Sequence, residues 1–308
     1  MSVDPRDPMF HNEDKARAYF EEQRWPNGPV CPHCGSKHAH RLEGKAHRAG
    51  LLQCNDCLGQ YSVTLGTVME SSHVPLTKWA LAFHKMAASK KGISAKQIQR
   101  ELDLGSYRTA WFMAHRIREA MGIPNDDGKI GGSGKTVESD ETFVGGKKKN
   151  VHRGKPEPKK HAVMALVERG GKMRAKHVPN VTAKTIKKTL AKHADKASVL
   201  MTDDSTWSRT AGKSFADHGV VKHSLGEYVS KDGIAHIQTV ESFFAILKRG
   251  ITGSFHSVSE KHLQRYVDEF AFRWNARSSL GIEDAERAAQ MVRGAEGKRL
   301  TYRQPDQV

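Results

Sequence analysis

Three carboxylates, each on or beside an apolar segment, are the residues of this sequence best suited to chemistry. They are Asp140 in Val137-Glu-Ser-Asp-Glu-Thr, Asp203 in Leu200-Met-Thr-Asp-Asp and Glu241 in His236-Ile-Gln-Thr-Val-Glu-Ser-Phe-Phe. Because a charge beside a core is costly unless it is compensated, the three favour a site for hard cations such as Mg²⁺ or Mn²⁺. Held together, they could bind two ions about 4 Å apart, the arrangement that serves phosphodiester chemistry. Any one of them alone is more often a cap, a turn former or half of an ion pair.

The chain as a whole is strongly basic. Its 308 residues include 50 Lys and Arg against 34 Asp and Glu, a formal net charge of +16. A polyanion is therefore the expected partner, although charge does not separate DNA from RNA. The sequence begins with no basic and then apolar leader and contains no apolar run of membrane-spanning length. We expect a cytoplasmic, nucleoid-associated protein.

All the cysteines lie in two Cys-x-x-Cys motifs, Cys31-Pro-His-Cys34 and Cys54-Asn-Asp-Cys57. Paired knuckles of this kind are typical of a zinc ribbon, in which four thiolates occupy the corners of a tetrahedron around a structural Zn²⁺. The binding free energy of the metal can fold a segment too small to stabilise itself. We therefore predict an N-terminal helix and zinc ribbon over residues 1–75.

Helical patterns follow over residues 76–122. A helix from Ala95 to Leu102, a turn, and a basic helix from Ser106 to Met121 together predict a helix-turn-helix, whose second helix can enter a major groove. Arg108 and Arg116 on that helix are the predicted DNA contacts. An ordinary helical hairpin with a solvated basic face fits the same pattern.

A linker over 123–135, rich in Gly, precedes a segment whose periodicity indicates strands. We predict an α/β catalytic domain over 136–290, with a mixed sheet flanked by helices, and a polar tail over 291–308. The predicted strands run from Thr136 to Val144, Ala162 to Glu168, Met173 to Val178 and Ser198 to Thr202, and the predicted helices from Thr182 to His193, His236 to Arg249 and Ser259 to Ala276.

In this arrangement Asp140 lies within the first strand and Asp203 at the exit of the fourth, where α/β sheets place ligand sites. Glu241 lies on the next helix and shares its face with Lys248, which could contact DNA phosphates. A shift of one residue would put Asp204 in the site instead of Asp203.

A basic loop separates the first two strands. It includes Lys147, Lys148, Lys149 and Arg153 and a single acid, Glu157. We predict that it binds DNA phosphates beside Asp140, which would add salt-sensitive affinity without sequence preference. The alternative is a solvated hairpin tip.

Several of these segments resemble the bacterial insertion-sequence transposases that join an N-terminal zinc ribbon to a ribonuclease-H-like DDE domain. The resemblance runs from about Pro29 to Asn275, and it is most specific from Val240 to Val267. The matching segments are the two cysteine motifs, Asp140-Glu-Thr-Phe-Val-Gly-Gly-Lys147, Thr202-Asp203, His223-Ser-Leu-Gly-Glu-Tyr-Val229 and Glu241-Ser-Phe-Phe-Ala-Ile-Leu-Lys-Arg-Gly250.

The resemblance implies that Asp140, Asp203 and Glu241 form the catalytic triad and that Lys248 or Arg249 assists at the DNA end. It also implies that the enzyme cleaves a strand to expose a 3′-hydroxyl, which then attacks target DNA. Binding of the element's terminal inverted repeats and a dimer or larger assembly on DNA follow as expectations. Two other functions remain open: a metal-dependent nuclease that never joins strands, and a zinc-ribbon DNA-binding protein whose carboxylates are structural.

Overall fold

The computed structural model describes residues 4–122, 128–146, 159–222, 225–230 and 233–301. The chain divides into two compact units, Met1–Gly122 with Ser278–Val308, and Ile123–Arg277. The first boundary falls after Gly122, and residues 128–135 of the predicted linker belong to the second unit, where Ile130 is buried in a core. The second boundary differs from the predicted end of the catalytic domain at residue 290, because the chain rejoins the first unit at Ser278. In the described part of the chain, no helix has both the length and the apolar character needed to cross a membrane.

The first unit combines a small sheet with helices. Strands β1, β2 and β3 form an antiparallel sheet in that order. Helix α1 begins after Asn12, whose side chain accepts hydrogen bonds from two backbone N–H groups of the first turn. The elements of this unit are α1 (Glu13–Arg24), β1 (Ala39–Arg41), β2 (Leu52–Cys54), β3 (Gln60–Tyr61), α2 (Leu76–Ala88), α3 (Ala95–Glu101), α4 (Tyr107–Met121) and α9 (Asp284–Arg293).

Helices α3 and α4 form the predicted helix, turn and helix. Ser94 and Ser106 cap them, and each Oγ accepts a hydrogen bond from a backbone N–H of the first turn. Asp103 in the turn has a φ of 47°, a left-handed conformation that Asp adopts more readily than most residues. This confirms the helical hairpin, whereas DNA binding by α4 stays a prediction.

The C-terminal segment packs into the first unit instead of forming a polar tail. Helix α9 contacts α2 and α4. Buried Arg287 donates to the carbonyl oxygen of Ala87 at 3.2 Å. Leu300 is buried too, at 8% exposure. The tail prediction is therefore wrong for the described residues up to Thr301.

The second unit is built on a mixed five-stranded sheet in the order β6-β5-β4-β7-β8. Strands β4, β5 and β6 pair antiparallel, whereas β7 is parallel to both β4 and β8. The mixed sheet is confirmed; β8 and α6 were not predicted. The elements are β4 (Thr136–Gly145), β5 (Lys160–Glu168), β6 (Met173–Val178), α5 (Ala183–His193), β7 (Val199–Asp203), α6 (Thr206–Gly212), β8 (Asp217–Val221), α7 (Gln238–Gly250) and α8 (Glu260–Asn275).

Each face of this sheet packs against its own pair of helices. On one face Val163, Ala165 and Val167 of β5 join an apolar core with α7 and α8. On the other face the alternating residues of β5 join a core with α5 and α6. A strand covered on both faces must be apolar at every position, which explains the continuous apolar run in β5.

Candidate active site and metal centres

Asp140 and Asp203 lie on neighbouring parallel strands. The ladder pairs Thr136 with Val199 and Glu138 with Met201. The paired residues end there; two residues further in the same register, Asp140 would lie opposite Asp203. Asp203 is the last residue of β7, so the pair lies where the ladder ends and the backbones leave room for a ligand.

Both carboxylates face the helix that carries Glu241. Successive strand residues point to opposite faces. Val144 of β4 and Met201 of β7 pack in the core with α7 and α8. Asp140 is four residues from Val144, and Asp203 is two residues from Met201, so each aspartate shares the strand face of its apolar neighbour. Asp204 lies one position further and does not continue that alternation.

Glu241 lies in the first turn of α7. The inward side of this helix buries Val240, Phe243, Phe244 and Leu247. Glu241 itself is half-buried, whereas Lys248, two turns later on the same side, is exposed. The helix therefore anchors its apolar side on the sheet and leaves Glu241 at the margin of the core.

A residue that the sequence did not single out fixes the start of α7. Glu138 of β4 is completely buried, at 0% exposure. Its Oε2 accepts hydrogen bonds from the backbone N–H groups of Thr239 at 2.8 Å and Val240 at 3.1 Å. Its Oε1 accepts from the Thr239 hydroxyl at 2.8 Å. A carboxylate at this position satisfies N–H groups that the helix leaves unpaired and interacts favourably with the helix dipole.

Arg169 compensates the buried charge of Glu138. Its Nε donates to Glu138 Oε1 at 2.7 Å. The two other guanidinium nitrogens donate to the carbonyl oxygens of Ile234 at 3.0 Å and His236 at 2.9 Å. One ion pair thus connects β4, the segment before α7 and α7 itself. Glu138 lies two residues before Asp140 on β4, and Thr239 and Val240 directly precede Glu241 on α7, so the same contacts fix the backbone next to both carboxylates.

The electrostatics of the site are those of crowded carboxylates. Burial, together with the negative charges of Asp140 and Asp203, raises the pKa of Glu141 to about 7. Asp140 Oδ1 accepts from the Glu141 N–H at 2.8 Å, and Asp203 Oδ1 accepts from the Ser205 N–H at 3.2 Å. A divalent cation would offset this concentration of negative charge.

The three carboxylates do not form a closed single-ion cage. In the described ranges, two groups of potential ligands have all their ligand atoms within 4.8 Å of one another, and Asp140, Asp203 and Glu241 are not among them. Carboxylate oxygens are the donors that Mg²⁺ and Mn²⁺ prefer, so the chemistry of the three side chains fits such ions.

The four cysteines do form a compact group. Cys31 Sγ lies 3.7 Å from Cys57 Sγ, and Cys34 Sγ lies 3.6 Å from Cys54 Sγ. Zn–S bonds of about 2.3 Å in a tetrahedron place sulfurs about 3.8 Å apart. This geometry fits the structural zinc predicted from the sequence.

Replacing one of these cysteines should release the ribbon zinc. We expect Cys54→Ser to lose the intense thiolate-to-metal absorption that Co²⁺ gives in the wild-type chain. We also expect proteolysis within residues 31–60, because binding worth roughly 10 kcal/mol holds such segments folded. His38→Ala is the matched control, since His38 is 79% exposed and adjoins the cysteines without completing the shell. A Cys54→Ser protein that keeps the absorption would contradict the four-thiolate assignment.

The predicted DNA contacts fall into three groups. Arg108, Lys248 and Arg249 are exposed. Arg116 is not: it is 8% exposed, donates to the Leu300 carbonyl oxygen at 3.3 Å, and lies over the Phe112 ring. Its position in the first unit is that of a packing residue, which corrects the prediction. Four further residues lie outside the described part of the chain: Lys147, Lys148, Lys149 and Arg153.

Known proteins resemble both parts of the chain. Residues 131–275 match the ISXO2-like transposase domain, and residues 11–60 match the transposase zinc-ribbon domain. The chain belongs to the insertion-sequence transposases. It is also 27% identical, over 280 residues, to an uncharacterized protein in transposable element ISH50 of Halobacterium salinarum, covering 86% of the transposase and 91% of that relative.

These matches agree with the structural division of the transposase. The ISXO2-like match lies within the second unit and ends two residues before Arg277, where that unit ends. It contains Asp140, Asp203 and Glu241. The zinc-ribbon match lies in the first unit and contains α1 and all four cysteines. Residues 61–122 and 278–308 lie outside both matches.

Proposed function

We propose that this transposase binds the terminal inverted repeats of its element, cleaves phosphodiester bonds there and joins the resulting 3′-hydroxyl ends to target DNA. Asp140, Asp203 and Glu241 are the proposed catalytic residues. The observation that carries the proposal is the parallel register of β4 and β7, which pairs Glu138 with Met201; two residues further in the same register, Asp140 would lie opposite Asp203.

In this proposal the three carboxylates hold two Mg²⁺ or Mn²⁺ ions, which when bound activate the attacking oxygen and stabilise the leaving oxygen. Asp140 and Asp203, from adjacent strands, would supply the shared side of the site, and Glu241 the helix side. The backbone N–H groups of Glu141 and Ser205 orient the two aspartates. The mixed sheet, with helices on both faces, supports a ribonuclease-H-like fold for the second unit.

DNA would reach this site along basic surfaces. Lys248 and Arg249 are exposed on the helix that carries Glu241, and Lys248 shares the Glu241 side. A positive charge two turns from a catalytic carboxylate can bind the phosphate next to the scissile bond. The net charge of +16 would add sequence-independent affinity for double-stranded DNA. Because two element ends must meet, we propose a dimer or larger assembly that acts in the cytoplasm at the nucleoid.

A strand-transfer assay tests the proposal. Labelled duplexes that carry the terminal repeats flanking the gene are incubated with the full-length protein, Mg²⁺ and a supercoiled target plasmid. We expect label to become covalently joined to the plasmid, and no joining with duplexes of scrambled end sequence. Cleavage without joining would instead show a nuclease. Specific binding of the ends without cleavage would show a DNA-binding protein. Either result would overturn the proposed reaction.

A further inference from the structure

Two histidines and a glutamate cluster at a place that the proposed reaction does not use. His161 lies on β5, His177 on β6 and Glu260 at the first position of α8. Val163 pairs with His177 in the antiparallel ladder, so His161, two residues from Val163, is the diagonal neighbour of His177 on the same face. Since Val163 packs in the core with α8, that face is the one on which Glu260 arrives.

The three side chains already lie close to the positions that one metal ion requires. One ligand atom from each lies within 4.8 Å of the other two. His161 Nδ1 is 3.7 Å from Glu260 Oε2, and the two imidazole rings meet edge to face with centroids 5.9 Å apart. Bonds of about 2.1 Å to nitrogen and oxygen set ligand atoms roughly 3.4 Å apart. The remaining adjustment falls mainly on Glu260, whose side chain is 58% exposed.

The backbone around the cluster is fixed by other contacts. Gln264, one turn after Glu260 on α8, accepts a hydrogen bond from the His177 N–H at 2.8 Å. Its amide nitrogen donates to the carbonyl oxygen of Ala175 at 3.3 Å. The start of α8 is therefore held against β6 whether or not a metal is bound, and the three donors come from elements whose spacing is already set.

The chemistry of the donors selects the class of metal. Imidazole nitrogen suits Zn²⁺, Ni²⁺ and Co²⁺, whereas Mg²⁺ prefers sites made of oxygen ligands. Two imidazoles and a carboxylate leave at least one coordination position for water. Lys160 and Lys176 adjoin the histidines, but each points to the opposite face of its strand. The alternative is a simple ion pair between Glu260 and one of the two histidines. It would not explain why the other histidine lies within reach of the same point.

We propose that His161, His177 and Glu260 bind one divalent transition-metal ion of the Zn²⁺ class, which ties the start of α8 to β5 and β6. This site is separate from the zinc ribbon and from the catalytic carboxylates. It does not depend on the reaction proposed above.

Metal stoichiometry tests this site directly. The full-length protein, with its ribbon zinc in place, is titrated with Zn²⁺ by calorimetry in excess Mg²⁺. We expect one additional Zn²⁺ per chain in the wild type and none in His161→Gln/His177→Gln. Asp140→Asn/Asp203→Asn should keep the additional equivalent, which separates this site from the catalytic one. Failure of the wild type to bind it, or its persistence in the double-histidine variant, would overturn the proposal.

Thermal unfolding provides a second measurement. At about a hundredfold excess of Zn²⁺ over its dissociation constant, the unfolding midpoint of the wild type should rise by roughly 5 °C.

The Glu260→Gln variant guards against a folding defect in the double-histidine variant, because it alters one exposed side chain. It should weaken Zn²⁺ affinity at least tenfold and leave the midpoint without added metal nearly unchanged. His256→Asn, an exposed position in the same unit with a φ of 62°, should bind Zn²⁺ like the wild type. Equal affinity in Glu260→Gln and the wild type would contradict the assignment.

Discussion

Asp140→Asn, Asp203→Asn and Glu241→Gln should each lower the rate of strand cleavage and joining by about 10³-fold, because one lost metal ligand removes several kcal/mol of transition-state stabilisation. Each substitution keeps the size of the side chain and removes its charge, so binding of the terminal repeats should persist. Single-turnover cleavage of labelled ends in Mg²⁺ gives the rates, and gel-shift titration gives the affinity. Circular dichroism checks the fold.

Asp204→Asn is the matched control for these variants. Asp204 adjoins Asp203 but does not continue the strand face that meets α7, so its replacement should change the cleavage rate by less than Asp203→Asn does. An inactive Asp204→Asn beside an active Asp203→Asn would move the second catalytic position by one residue. Wild-type rates in all three triad variants would rule out the two-ion mechanism.

The sequence could predict most of the strands and helices of the second unit because their segments have strong local periodicity. The apolar run Ala162–Glu168 predicts a buried strand, and the apolar positions of α7 predict a helix with one buried side. The structure contains this strand and this helix. The alignment of β4 with β7, on which the proposed pairing of Asp140 with Asp203 rests, could not be predicted in this way. It depends on a register between strands far apart in the chain, and no local pattern records that register.

The elements that the sequence missed are those whose stability comes from distant contacts. Strand β8 (Asp217–Val221) is short and polar, buries mainly Val221, and forms by pairing with β7. Helix α9 returns to pack on α2, so its amphipathic pattern alone could not assign it to the first unit. Arg116 was misassigned for a related reason: its acceptor is the carbonyl oxygen of Leu300, at the other end of the chain.

Glu138 was missed because a glutamate in a strand carries no signal of its own. Its neighbours Arg169, His236, Thr239 and Val240 are distant in sequence. One signal was present: an acid two residues before Asp140, on the face of the strand that also carries Val144, must have a partner if it is buried, because an unpaired buried charge is very costly. That requirement predicts a cation or a helix start nearby, without naming which.

Glu138→Gln should destabilise the second unit by about 3 kcal/mol, because it removes one member of a buried ion pair and leaves Arg169 uncompensated. The new amide can accept on one side only, so its NH₂ group would face either the N–H groups of α7 or the guanidinium. Urea denaturation of the full-length protein, followed by hydrogen exchange in peptides from residues 136–277, measures the loss in the second unit. Glu141→Gln, on the same strand, is the control: since the pKa of Glu141 is raised, its ionised form costs stability, and at pH 8 the substitution should maintain or increase it.

The Glu138→Gln substitution should also change the Mg²⁺ dependence of cleavage, because it loosens the start of α7. If Glu138 sets the position of Glu241, loosening the helix start should raise the Mg²⁺ concentration needed for half-maximal cleavage, while affinity for the terminal repeats stays unchanged. A purely structural role would lower the fraction of folded protein without altering the Mg²⁺ dependence of the folded remainder. Arg169→Lys should show the same shift in milder form, because a lysine keeps the charge but cannot donate to Glu138 and to the carbonyl oxygens of Ile234 and His236 from a planar fork. Wild-type Mg²⁺ dependence in both variants would separate the buried ion pair from catalysis and leave it a role in folding alone.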